Sequence, residues 1–160
     1  MDDFSILQST PLFHGLSAEA LDGLLGRLGA VRRSYIRGAV LVQAGQPSRS
    51  VGIILAGAIE AVRLAPDGSR LPITRMGPGG VFGDVLGGSS LTSPVTVTAR
   101  SPCEVLLVPY DRLLRPDGSA AGQQVLQNLV RTISDKYFLL ARRVDLLLLH
   151  SLRAKVSAYL

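Results

Sequence analysis

The chain has 160 residues, enough for one full-sized domain with a buried core. Its 47% hydrophobic and 18% charged residues exclude an intrinsically disordered protein. A formal net charge of +5 is spread unevenly: residues 1–111 balance nine Arg against nine Asp/Glu, and residues 112–160 set eight Lys/Arg against Asp117, Asp135 and Asp145.

Such a basic C-terminal segment suits either a nucleic-acid partner or the solvated side of a helix. The opening MDDFSILQSTPLF has two acids and no basic n-region, so no secretory signal is expected. The longest apolar run, Val144 to Leu149, is broken by Asp145 and is too short to span a bilayer. A single cysteine, Cys103, can neither close an internal disulfide nor supply the thiolates of an iron–sulfur cluster. A reducing cytoplasm is the expected setting.

The first predicted element is a helix. Ser17 stands at a helix-starting position before Leu21, Leu24, Leu25 and Leu28, the i, i+3, i+4, i+7 spacing of one buried face. Gly23 and Gly26 weaken it, so it depends on packing. From about residue 30 to 109 the chain breaks into short strand-like runs: Val31–Ile36, Ala39–Gln43, Ser50–Leu55, Ala58–Leu64, Arg70–Met76, Val95–Ala99 and Glu104–Val108. Glycine turns separate them, with Pro66-Asp67-Gly68 the strongest, since proline presets one dihedral and glycine accepts a positive one. Many short strands at this spacing predict a β-barrel or jelly roll.

After Arg115-Pro116-Asp117-Gly118-Ser119 the pattern changes to a long helix with almost no breakers. Leu126, Val130, Ile133, Tyr137, Leu140, Val144 and Leu147 recur in alternating steps of four and three. That is a heptad seam, the period a parallel two-stranded coiled coil needs, and these seven residues form the predicted homodimer interface. A second apolar row, Val125, Leu129, Phe138 and Ala141, predicts that the helix also touches its own barrel.

This order of motifs resembles the sensor region of Crp/Fnr-type bacterial transcription regulators. Gly38-Ala39-Val40-Leu41-Val42-Gln43-Ala44-Gly45 is similar to the opening of a cyclic-nucleotide-binding domain. Ile53-Ile54-Leu55-Ala56-Gly57-Ala58-Ile59 looks like its strand–Gly–strand crossing, and Gly77-Pro78-Gly79-Gly80-Val81-Phe82-Gly83-Asp84 like the approach to its phosphate-binding cassette. The segment Ser151–Leu160 resembles the hinge that leads into a winged helix-turn-helix. The resemblance spans about residues 10–160.

The fold it implies is mainly β with flanking helices: a double-stranded β-helix (jelly-roll or cupin-like) barrel with an N-terminal helix over 1–115. A long dimerisation helix over 119–149 follows, then a hinge at 150–160 opening a DNA-binding domain that this chain lacks. The implied cassette comprises Phe82, Gly83, Asp84, Val85, Leu86, Ser93, Pro94, Val95 and Thr96. A turn rich in backbone N–H groups makes an anion cradle. Asp84 takes the place of the carboxylate that holds the ribose hydroxyl. The arginine that would neutralise a cyclic phosphate falls on Ser93, and the neighbouring Ser/Thr position falls on Pro94. The purine-contacting polar pair falls on Leu140-Ala141. Ser89, Ser90, Thr92 and Ser93 offer hydroxyls but no positive charge. Both changes imply that cAMP and cGMP do not bind, and the effector is an unnamed small molecule.

Other chemistry is poorly supplied. His14 and His150 flank the domain and cannot form a cupin metal site, so no metal and no cofactor are expected. No nucleophile–base constellation can be assembled, so no enzymatic activity is expected. Arg131, Lys136, Arg142, Arg143, Arg153 and Lys155 are assigned to the dimer helix and hinge, and DNA contact to the absent helix-turn-helix. The alternative is a stand-alone regulatory module acting through a protein partner.

Overall fold

Short apolar runs punctuated by glycine fold, in the computed structural model, into two four-stranded antiparallel sheets. The structure describes residues 3–84 and 92–159. One sheet orders β1 (Val31–Tyr35), β8 (Cys103–Pro109), β3 (Ser50–Ala56) and β6 (Val81–Phe82). The other orders β2 (Val40–Val42), β7 (Thr96–Ala99), β4 (Ile59–Leu64) and β5 (Arg70–Met76). The seven expected strands are all present, with ends that move by at most one residue. This is the expected jelly roll followed by a long helix.

Strand alternation divides the core in two. Ile54, Phe82, Cys103 and Val105 of the first sheet meet Ile59, Ala61, Val97 and Ala99 of the second, so the sheets pack face to face. On the other face of the first sheet, Val51, Ile53, Leu55, Leu106 and Val108 pack against helices. β3 is therefore buried on both faces, which is why SVGIILA reads as one continuous apolar run.

Helix α2 (Ala18–Leu28) begins where expected. The Ser17 hydroxyl accepts from Ala20 N–H, and Gly29 closes the helix in the left-handed region at φ 71°. Its Leu21, Leu24 and Leu28 are buried in the helix-side core. Two short helices had no sequence signal, α1 (Asp3–Ser9) and α3 (Tyr110–Leu114). Arg32 ties α1 to the barrel by pairing with both Asp3 and Glu104.

Helix α4 runs from Ala120 to Tyr159, 40 residues, about 60 Å at 1.5 Å per residue. It was expected to stop at 149, yet it passes through 150–159 without a break. The cause is local: no Gly or Pro follows Gly122. The Ser119 hydroxyl accepts from Gly122 N–H at its start. Val125 and Leu129 are buried in the helix-side core, and the amide of buried Asn128 donates to the carbonyls of Leu12 (3.0 Å) and His14 (2.9 Å). The second apolar row does not stay on the barrel as expected. Val125 and Leu129 are covered, but Phe138 is 70% exposed, because the helix outruns the domain beyond about Lys136.

Candidate ligand pocket

The turn after β6 builds the site. Gly52 on β3 leaves the space that the Phe82 ring fills; a Cβ there would stand 2.1 Å from Phe82 Cζ. Gly83 follows at φ +79°, and a Cβ on it would come within 2.5 Å of the Ser50 carbonyl oxygen, so only glycine fits. This turn drives Asp84 inward, where it is 4% exposed.

Two helices then converge on Asp84. The Tyr110 hydroxyl, from the start of α3, donates to its backbone carbonyl at 3.0 Å. Burial first, and the Asp84 charge second, push the Tyr110 phenol above its ordinary value, so it keeps the proton it donates. Lys136 reaches from α4 and sets its Nζ 2.5 Å from the carboxylate.

Between the two sheets and α4 lies a cavity of about 220 Å³. Its apolar wall includes Val42, Ala61, Met76, Phe82, Val95 and Val97; Asp84, Ser93 and Lys136 supply polar atoms. Lys136 is the one cation among the described lining residues. Across the Asp84–Lys136 pair is a second cavity of about 210 Å³, lined by Pro11, Leu12, Gly79, Leu129 and Thr132 and sharing Val81, Asp84 and Lys136 with the first.

Of the residues assigned to the cassette, Phe82, Gly83, Asp84, Ser93 and Val95 line the first cavity. Val85 and Leu86, with Ser89 and Ser90, lie outside the described residues. Pro94 is exposed. The Thr96 hydroxyl accepts from Ala44 N–H at 3.1 Å. Ser93 is buried, and its hydroxyl is occupied locally, donating to the Val95 carbonyl (2.7 Å) and accepting from Val95 N–H (3.3 Å). Its backbone is fixed too, pairing with Gly45 and Gln46. Leu140 and Ala141 do not line the cavity.

Lys136 was assigned to the dimer helix, where it lies, but its reach into the pocket to Asp84 was not foreseen. Its position carried a readable signal: Val125, Leu129, Thr132 and Lys136 follow i, i+4, i+7, i+11 and share one helix face. The seam residues fall into two groups. Leu126 and Ile133 are half-buried against the domain, whereas Val130, Tyr137, Leu140, Val144 and Leu147 are exposed. His14 and His150 are exposed and far apart in the chain, and no described group of three or more metal-ligating side chains comes together. No helix among the described residues is long and apolar enough to cross a membrane.

Comparison with known proteins adds a family. A curated relative, the CRP-like cAMP-activated global transcriptional regulator of Mycobacterium tuberculosis, is 29% identical over 131 residues, covering 81% of this chain and 56% of that protein. The chain thus spans about half the length of that relative. A potassium channel of Oryza sativa subsp. japonica is 27% identical over 130 residues, covering 79% of this chain and 22% of the channel. Among solved structures, the Catabolite Activator Protein of Thermus thermophilus superposes with a TM-score of 0.73 at 23% identity, covering 86% of this chain and 63% of that one, a likeness of fold. The family described as the cyclic nucleotide-binding domain matches residues 32–115. That match runs from within β1 through the end of α3, more than half of the chain, and the protein belongs to the cyclic nucleotide-binding domain family.

Proposed function

We propose that the chain is the effector-sensing and dimerisation region of a Crp/Fnr-type DNA-binding transcription regulator, acting in the cytoplasm and without enzymatic activity. The observation that carries this reading is Lys136. A residue of the long helix forms part of the pocket wall, so what fills the pocket and how the helix lies are physically linked. A ligand that favours one helix position over another shifts the balance between two arrangements. The exposed seam, Val130, Tyr137, Leu140, Val144 and Leu147, is where a second copy of the helix packs in parallel. DNA contact belongs to a further domain of the kind the regulator relative's greater length leaves room for.

The same geometry argues against cAMP as the effector. A cyclic phosphate would enter a cavity whose one described cation is already held by Asp84 and whose Ser93 hydroxyl is already used. Burying a phosphate without a counter-charge costs several kcal/mol. Calorimetric titration with cAMP and with cGMP tests this. No heat of binding is expected, and micromolar affinity for either overturns the reading.

A further inference from the structure

We infer that the effector is an uncharged, mainly apolar molecule about the bulk of a bicyclic ring, seated in the barrel cavity against the Asp84–Lys136 pair. This rests on the reading of that cavity as the effector site. The charges on its described wall cancel: one carboxylate and one ammonium, 2.5 Å apart.

A charged ligand must break or share this pair, and a neutral one need do neither. The Asp84 side chain is only 6% exposed. If Lys136 swung to an anion, that carboxylate would stay buried, lose its ammonium and face a second negative charge. A cationic ligand would have to compete with Lys136 for the same oxygens and drive its ammonium away from them. A neutral molecule leaves the pair intact and covers the aliphatic stem of Lys136.

The rest of the wall agrees. Val42, Ala61, Met76, Phe82, Val95 and Val97 are apolar, and the Ser93 hydroxyl is satisfied within its own turn. Size sets the scale. An apolar cavity of roughly 150 Å³ takes up benzene, and about 220 Å³ leaves room for a second fused ring. Hydroxyls of Ser48 and Thr74 on the same wall allow one neutral hydrogen-bonding group.

The test uses indole, indole-3-acetate and, as the neutral probe of the same shape as the acetate, indole-3-acetamide, titrated into the full chain with calorimetry and methyl NMR. Indole is expected to saturate a single site, with contacts to the methyls of Ala61 and Val97. Indole-3-acetate is expected to bind at least about tenfold more weakly than indole-3-acetamide. The inference is overturned if the carboxylate probe binds more tightly and Lys136→Met removes that preference, since the site would then be anionic. It is equally overturned if indole contacts the methyls of Leu129 and Thr132 in the second cavity, or shows no saturable binding below about 1 mM. Titrating cAMP in the same series separates the two readings. Binding of cAMP sinks the proposed effector specificity of the domain, whereas failure of indole with no cAMP binding sinks only the ligand class.

Discussion

The Lys136 ammonium stands 2.5 Å from the buried Asp84 carboxylate, and this pair joins the long helix to the turn that ends β6. Removing one partner is worse than removing both, because a lone buried carboxylate keeps its desolvation cost. A fully buried pair broken this way loses about 3–5 kcal/mol. Here the Lys136 side chain is 48% exposed, so solvent screens part of that and about 1–2 kcal/mol is expected for Lys136→Met. The double variant Asp84→Asn/Lys136→Met should recover most of the loss. Urea unfolding of the four forms is the measurement; a Lys136→Met protein as stable as wild type would mean the pair is not formed in solution.

A second anchor of the same helix is neutral. Asn128 donates to two carbonyls, Leu12 and His14, and accepts from the Gln124 amide at 3.0 Å. Asn128→Leu keeps the branched shape and removes the donors, leaving the two carbonyls without them. Such unsatisfied groups cost about 1–3 kcal/mol, so a loss near ~2 kcal/mol is expected. Amide exchange should speed up at His14 and Leu16, whose N–H groups close turns in the same loop. Exchange unchanged from wild type would show that the loop holds itself.

Close approach predicts a larger effect at Gly52. A methyl added there would lie 2.1 Å from Phe82 Cζ. Overpacking of this kind costs about 1–3 kcal/mol, occasionally more. Gly52→Ala is expected at the upper end, with partial recovery in Gly52→Ala/Phe82→Leu. Thermal unfolding of both decides it, and full tolerance of Gly52→Ala would put the Phe82 ring elsewhere.

These residues show what was legible in the sequence. Ser17 and the leucines of α2 announced their helix because a cap and a 3.6-residue period are local signals. β3 was legible as a run, but its burial on both faces depends on the helices that cover it. β6 is two residues long and exists through pairing with β3, so no propensity could mark it. α1 and α3 are similarly short. Asp84 was found as a motif position. Lys136 was not, because a lone lysine on a basic helix reads as solvated until its face is traced back through Thr132, Leu129 and Val125.

Acid should loosen the junction between the domain and the long helix. Hydrogen bonds from the Ser119 side chain and backbone, and then the Arg27 guanidinium, hold the Asp117 carboxyl down at about 2, against an ordinary 3.8. A carboxyl depressed in the folded state stabilises it fully above the unfolded value and loses that contribution as pH falls through the folded one. The stabilisation is therefore present above about pH 4 and disappears toward pH 2. Asp117→Asn should flatten the fall of melting temperature over that window and lower the melting temperature at neutral pH, where the wild type keeps the full contribution. Identical slopes for the two proteins would show that Asp117 makes no such contacts in solution.

The seam makes the sharpest claim about assembly. Tyr137, Leu140, Val144 and Leu147 are 66%, 61%, 47% and 69% exposed in the single chain, a row of apolar side chains beyond the reach of the barrel. Monomeric proteins rarely leave so large an apolar stripe in water. In a parallel pair these residues meet their own copies, so Leu140→Glu or Val144→Glu sets two carboxylates against each other across the seam. Light scattering should then report half the wild-type mass. The barrel should unfold at an unchanged urea concentration, since neither residue belongs to either buried core cluster. Leu146→Glu is the control. Leu146 is also exposed, but it lies on the opposite side of the helix from the seam, so its variant should keep the dimer mass. If Leu146→Glu dissociates the protein while Leu140→Glu does not, the helices pair through another face and the 4–3 seam is not the interface.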